Sequence, residues 1–398
     1  MEYAQERITT LHHLTTDPIG FDGLEGPLER TAVVVPMTHH EHGSDAATGV
    51  FAALETIDPA PARVVVAVRA DAERIDDVRR WLEGFDLPIR VLWCTAPSVV
   101  RLLDRHGLED GLGKGRDVWL ALGVATDSPD VEYVVVHDAD AQSFSADHVA
   151  RLLQPLAPAV RDDPADGRAT SPRAYTFVKG YYARVEAGRL YGRLNRLFYE
   201  PLVRAVSTHS ESDPPEPIVH YLESFRYALA GEFAMTAELA RRLRPPRTWG
   251  LEVATLGDAF AHAGFEGTAQ VDLGVHRHDH RTVDGDAGLE GMSREVAASL
   301  LRVLEEGGVD LEYDRLREQY RSTAQALIEQ YRSDAICNDL TYDVENEREQ
   351  VDRYAQSLES PRDDRRLPPW SRAPLDGADV QRAATPWMPD PKPSDRQR

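Results

Sequence analysis

Two carboxylates one residue apart, Asp138 and Asp140, follow the apolar run VEYVVV after the single residue His137. At the end of a buried strand such a pair can share a hard divalent cation, Mg2+ or Mn2+. The ion bridges the diphosphate of a nucleotide sugar and offsets charge on the leaving nucleoside diphosphate. An acidic chain contains other such pairs by chance, Asp284-Gly285-Asp286 among them. The strand in front is what singles out Asp138-Ala139-Asp140. A second segment, Gly111-Leu112-Gly113-Lys114-Gly115-Arg116, opens a helical stretch. Glycines let a backbone approach phosphate and a helix N-terminus favours anions, so Lys114 is expected to neutralise donor phosphate. The segment is not a Walker loop, because the Gly-Lys-Ser/Thr spacing is absent.

Further candidates lie in the second half of the chain. His276, His278 and His280 alternate after a strand, which puts three imidazoles on one face if the strand continues. One of them can complete the metal site, or the three can form a zinc site of their own. Glu232 and Glu252 each open an element just after a glycine. Carboxylates so placed hold sugar hydroxyls, act as a base, or complement a helix dipole. Lys179, Arg184, Arg189, Arg193 and Arg196 form a basic stretch. It suits an anionic acceptor, or pairs with Glu186 and Glu200 along a helix surface.

The elements that must position these residues alternate. Thr31 to Val35, Arg63 to Val68, Ile89 to Trp93 and Glu132 to Val136 read as strands. Ala46 to Leu54, Ile75 to Phe85 and Arg116 to Ala125 read as the helices between them. Strands that are apolar throughout and separated by helices predict an α/β fold with a mostly parallel central sheet covered on both faces. Ligands then bind beyond the carboxyl ends of the strands, where Asp138 and Asp140 fall. In the second half, Thr176 to Ala183 alternates like an edge strand, Leu190 to Val206 and Ala234 to Leu243 read as helices, and so does Gly250 to Ala261. Ala269 to Val275 reads as a strand. The expected organisation is a helical or irregular lead-in over 1–30, a nucleotide-sugar half over 31–145 and an acceptor half over 146–290. C-terminal helices follow over 291–360, and a proline-rich, charged, disordered tail over 361–398.

Composition narrows the function. Forty-five Lys and Arg stand against sixty-seven Asp and Glu, for a net charge of −22. Such a balance argues against a nucleic-acid partner. Lys114, Lys179 and Lys392 are the only lysines. A carboxylate-rich, lysine-poor chain suits a salt-accumulating, halophilic cytoplasm, where ions screen the self-repulsion. No apolar run approaches the ~20 residues of a membrane span, and MEYAQERITT lacks the basic start and apolar stretch of a signal peptide. The expectation is a cytoplasmic protein with no membrane partner. Cys94 and Cys337 are far apart and read as reduced and inert.

Taken in order, VVVPMTHHE, GLGKG, VVVHDAD, FVKGYYAR, YGRLNRLFYEPLV, ALAGEFAM, WGLEVATL and VDLGVHRHDHR resemble the glucosyl-3-phosphoglycerate synthase family of retaining GT-A glycosyltransferases. The likeness spans about residues 30–285. It implies a Rossmann-like GT-A fold with a C-terminal helical extension. It also implies that Pro36 and Glu41 meet the nucleoside, Lys114 the donor phosphate, and Asp138 and Asp140 the metal and ribose, with His278 as third metal ligand. Glu232 would touch the sugar hydroxyls, and Lys114, Asp140 and Glu232 would carry catalysis. Gly192, Arg193 and Asn195 would hold 3-phosphoglycerate. The product would be the precursor of glucosylglycerate, a compatible solute that fits a salt-adapted cell. Where relatives read uracil with an acidic Ser/Gly turn, this chain has Val68-Arg69-Ala70-Asp71-Ala72, which leaves a UDP- or GDP-hexose donor open. Asn195 stands where the family often has threonine, and His276 and His280 replace other polar types. Alternatives keep the fold but move mannose, or use glycerate, a polysaccharide or a lipid end as acceptor. A non-catalytic nucleotide-sugar-binding regulator is a third option. The C-terminal helices are read as building a homodimer.

Overall fold

Valine-rich runs become the middle of a single sheet. The computed structural model describes residues 7–14, 20–157, 161–162, 169–170, 174–209, 215–278, 286–361 and 364–388. The first half runs β1 (Thr9–Leu11), α1 (Glu25–Leu28), β2 (Thr31–Thr38), α2 (Asp45–Glu55), β3 (Arg63–Arg69), α3 (Ile75–Leu82), β4 (Ile89–Trp93), α4 (Pro97–Asp104), α5 (Lys114–Thr126), β5 (Tyr133–Val136) and α6 (Ala146–Leu153). A small antiparallel pair, β6 (Arg161–Asp162) and β7 (Ala169–Thr170), follows. Then come β8 (Phe177–Glu186), β9 (Arg189–Leu190), a π-helical turn Leu194–Tyr199, α7 (Glu200–His209) and α8 (Pro217–Glu223). β10 (Phe233–Thr236), α9 (Ala237–Ala240), α10 (Leu251–Ala263) and β11 (Thr268–His276) complete the sheet region. The chain ends in α11 (Asp286–Glu306), α12 (Tyr313–Cys337), α13 (Val344–Ala355) and α14 (Gly377–Ala384).

The main sheet has the order β1-β11-β8-β10-β5-β2-β3-β4, with β9 hairpinned to β8. Only β10 and β9 run antiparallel to their neighbours. The expected α/β architecture, a mostly parallel sheet with helices on its faces, is therefore present. Val33 to Val35, Val64 to Val68 and Val134 to Val136 are fully buried. Each such side chain contributes roughly 1.5–3 kcal/mol of burial. β2 outruns β5: their pairing stops at Val34, while pairing with β3 continues to Thr38. Pro36 thus sits where one flank of the strand has lost its partner, the place a proline is tolerated in a sheet.

Several elements differ from expectation. Phe233 to Thr236 is not the start of a helix but a buried antiparallel strand between β8 and β5. Four residues are too few for a period to show, and sheet hydrogen bonds on both flanks override the helix preference of Ala and Met. Helix resumes only at α9, capped by Thr236, whose Oγ1 accepts from the Leu239 amide at 3.3 Å. β8 is interior, not an edge, because its polar-looking Lys179 is itself buried. The edge is β1, in a lead-in expected to be helical or irregular. Leu190 to Val206 is broken into β9, the π turn and α7, with Gly192 at φ 73° between them.

The tail corrects a further expectation. Of the 361–398 tail expected to be disordered, residues 364–388 pack against the sheet domain, and 362–363 and 389–398 lie outside the described residues. Trp370 stacks on Trp119 of α5 at 4.2 Å between centroids. The indoles exchange backbone bonds: Trp370 Nε1 donates to Trp119 O at 2.7 Å, and Trp119 Nε1 to Pro368 O at 2.8 Å. Aromatic partners isolated among prolines leave no period for a sequence reading to find. Cys94 is buried, Cys337 exposed, and both are free thiols. Among the described residues no helix is long and apolar enough to cross a membrane.

Candidate active site

The ends of β2, β5 and β11 meet the start of β10 at one edge of the sheet. β2 turns into a 3-10 helix, His39–Glu41, closed by a reciprocal cap between Thr38 and Glu41. β5 runs out into His137-Asp138-Ala139-Asp140. β10 is entered through Ala230-Gly231-Glu232. Just beyond β11, His278 bridges to Ala141, which brings the His276–His278 segment beside the two aspartates.

Lys114, at the first turn of α5, reaches this edge. Its Nζ lies 2.7 Å from Asp138 Oδ1 and 2.9 Å from Glu252 Oε1 at the start of α10. Burial alone would lower the Lys114 ammonium, but the two carboxylates hold it well above the usual lysine range. Burial pushes the Asp138 carboxyl up against the pull of Lys114. Glu252 is brought below its ordinary value, burial notwithstanding, by Lys114 and Lys179. Glu252 is the residue whose weight the sequence understates: as a helix-start carboxylate it looks like a dipole partner.

The glycines around Lys114 act otherwise than expected. The Gly115 amide donates to Thr248 O at 3.1 Å and the Arg116 amide to Arg247 O at 2.9 Å. A Cβ on Gly115 would lie 1.9 Å from Pro246 O. The segment therefore admits a neighbouring stretch of backbone rather than a phosphate, and those helix-start amides are occupied. Lys114 alone carries the donor-phosphate expectation.

Asp140 meets His278, with Oδ2 3.2 Å from Nδ1. Burial opposes the charged form of both, yet their mutual bond lowers Asp140 and raises His278. His278 Nε2 is buried with no partner. Glu232 is fully buried and neither carboxylate oxygen has a hydrogen-bond partner. His276 stands behind it, Nε2 3.7 Å from Oε1, and is held neutral by burial and by His278, its pKa lowered to about 3. His276 stacks on Tyr182 at 4.1 Å, and Tyr182 packs on Tyr227 at 4.7 Å. His280 lies outside the described residues. Glu41 faces the same edge: burial, with the charges of Asp140 and Asp138, raises its carboxyl to about 7. Lys179 is 1 % exposed and donates to Ala230 O, beside Glu232. Burial lowers its pKa to about 8.

Asp138 and Asp140 thus share the strand end with His278, but here Asp138 is turned to Lys114 and Asp140 to His278. Among the described residues no three His, Cys, Asp or Glu side chains surround one point as an ion would require. The donor set still suits a hard divalent cation: two carboxylates, an imidazole with an orphaned buried nitrogen, and a third carboxyl in Glu41 destabilised by burial and by its like charges.

The acceptor candidates lie beyond the tyrosines. A Cβ on Gly192 would fall 2.4 Å from Tyr227 Oη, so both its φ and its contact require glycine. Asn195 Oδ1 accepts from the Leu229 amide at 3.3 Å. Asn195 lines an open cavity of about 1550 Å³, together with Arg184, Tyr191, Arg196, Tyr227 and Arg277. Arg193 pairs with Glu347 of α13. Pro36 is interior to β2 and buried.

No protein-family model matches the chain. It is 31% identical to the glucosyl-3-phosphoglycerate synthase of Methanococcoides burtonii, over 94% of each chain. It is 34% identical to that of Persephonella marina, over 73% of this chain and 70% of the relative. Among solved structures, it is similar to the Mycobacterium tuberculosis glucosyl-3-phosphoglycerate synthase bound to Mn2+, UDP and phosphoglyceric acid. That likeness has a TM-score of 0.53 and 24% identity, and covers 77% of this chain and 88% of the other.

Proposed function

The chain belongs to the glucosyl-3-phosphoglycerate synthase family, and on that premise we propose that it moves glucose from a nucleoside-diphosphate donor to 3-phosphoglycerate. The observation that carries the proposal is the meeting of Lys114, Asp138, Asp140, His278 and Glu232 at one edge of a GT-A sheet. The Mycobacterium tuberculosis enzyme binds UDP-glucose with Mn2+ and phosphoglyceric acid, and binds Mg2+ with UDP. UDP-glucose is accordingly the donor we assign.

Asp138, Asp140 and His278 would hold the metal, whose charge would stabilise the leaving diphosphate. Lys114 turns from Asp138 to donor phosphate and keeps Glu252 as its counter-ion. The orphaned oxygens of buried Glu232 accept hydrogen bonds from sugar hydroxyls, with neutral His276 behind them. Pro36 and Glu41 lie on the nucleoside side. Gly192, Arg193 and Asn195 place the acceptor. The bond from the sugar C1 to the diphosphate breaks as the bond to the acceptor hydroxyl oxygen forms on the same face, and the hydroxyl proton passes to the leaving phosphate. Catalysis is then mainly positioning and charge stabilisation.

The test is a screen of the purified chain. It crosses UDP- and GDP-glucose and -mannose with 3-phosphoglycerate and glycerate, with and without Mg2+ or Mn2+, in high salt. Acceptor-dependent release of UDP from UDP-glucose is expected only with metal and 3-phosphoglycerate. Release that ignores the acceptor would overturn the assignment. Light scattering in the same buffers tests two companion proposals, the homodimer and the salt adaptation.

A further inference from the structure

Glu347 lies on α13, far along the chain from the catalytic strands, yet its side chain is 5 % exposed and closes on two arginines of the acceptor segment. Oε1 accepts from Arg193 Nε at 3.1 Å. Oε2 accepts from Arg196 Nη1 at 2.9 Å and from Tyr342 Oη at 3.3 Å. The arginines are not equivalent. Arg196 also donates from Nε to Tyr191 O at 2.9 Å and from Nη2 to Leu190 O at 3.3 Å, and lies over the rings of Tyr331 and Tyr342. Arg193 is 42 % exposed, and among the described residues Glu347 is its one hydrogen-bond partner. Arg196 therefore has holds beyond Glu347, and the Arg193 guanidinium has Glu347 alone among the described residues.

We propose that Glu347 is a positioning residue for the acceptor: it grips Arg193 at Nε and leaves both Nη groups to receive the acceptor's phosphate or carboxylate. The proposal rests on the reading that Arg193 binds the acceptor. An arginine held in advance loses less side-chain freedom when an anion arrives. The effect therefore falls on acceptor affinity, not on the donor or the chemical step. It also gives the C-terminal helices a task at the cleft.

Glu347→Gln tests it. The amide keeps the shape but turns an NH2 toward one arginine donor, so one bond is lost and the weakly held Arg193 is released. The KM for 3-phosphoglycerate should rise about tenfold, equivalent to one decade in binding, with kcat and donor KM nearly unchanged. Glu347→Asp should recover part of the loss. In an Arg193→Gln background, Glu347→Gln should have no further effect on 3-phosphoglycerate binding measured by calorimetry. An unchanged acceptor KM, an equal rise in donor KM, or an additive double mutant overturns the inference. If Glu347→Gln does not fold, Tyr342→Phe, which removes one donor from the same carboxylate, should raise acceptor KM by about twofold; no change overturns it. If the wild-type chain itself fails to bind 3-phosphoglycerate, the acceptor assignment falls and takes this inference with it. Tight wild-type binding that Glu347→Gln leaves intact removes this inference alone.

Discussion

On the proposed donor side of the cleft, charges answer one another across strand ends. Lys114 is shared by Asp138 and Glu252, and Asp140 is joined to His278. On the proposed acceptor side, Arg193 and Arg196 are answered by Glu347, from a helix added after the sheet domain is complete. The first arrangement is part-buried, its side chains 15–31 % exposed, and on the proposed reading it exchanges partners when a diphosphate enters. In the second, Glu347 and Arg196 are buried and Arg193 alone of the three is half open. A site can thus store binding groups in two ways: by mutual neutralisation within the sheet, or by bracing from an appended helix. The first couples each residue to several others, and the second, on the proposed reading, would confine its effect to one substrate.

The comparison breaks first at Asp140. Asp140→Ala should lower kcat/KM by at least ~10³-fold, since it removes a group that would hold the charge-stabilising ion. Circular dichroism should show an unchanged fold, and a fully active variant would remove the aspartates from the chemistry. Lys114→Met strands two part-buried carboxylates. A stability loss of about 3 kcal/mol is expected in denaturant titrations, together with a donor KM raised far more than the acceptor KM. Equal effects on both substrates would erase the contrast between the two sides.

Lys179 sharpens it through pH. Its folded pKa of about 8 lies below the ordinary lysine value, so folding disfavours the charged amine. The penalty is fully present below pH 8 and is relieved as pH rises towards 10.5. Stability of the wild type relative to Lys179→Met should therefore climb by about 3 kcal/mol across that interval; a flat difference would mean the amine is not strained by burial. Trp370→Ala should have the smallest effect, about 2 kcal/mol in thermal unfolding. Since Trp370 braces the helix that carries Lys114, any kinetic change should appear in donor KM and spare the acceptor.

The same division decides what was legible beforehand. Strands β2 to β5 announce themselves by unbroken valine runs, and Asp138-Ala139-Asp140 is visible because one of those runs leads into it. Lys114 stands out in a chain almost without lysine. β10 does not, since FAMT becomes a strand only through neighbours contributed by distant segments. Glu252 looks like any helix-start carboxylate until folding brings the start of α10 to Lys114. The π turn at Leu194–Tyr199 hides inside a helical period, and the partners of Arg193 and Trp119 lie 154 and 251 residues away. Local patterns reveal strands and charged motifs; pairings across such separations need the folded chain.

The stack of Trp370 on Trp119 depends on an omission. At Gly123, one helical turn after Trp119, a Cβ would lie 2.1 Å from the Trp370 ring. The bare helix face is a keyhole, and the tail is its key. A chain cut before residue 364 would leave an indole and a groove facing water, an adhesive surface that the tail covers in the intact protein. Among relatives, a bulky residue at the position of Gly123 should accompany the loss of the tail, so that one small residue in a helix reports whether a strap more than two hundred residues later is worn.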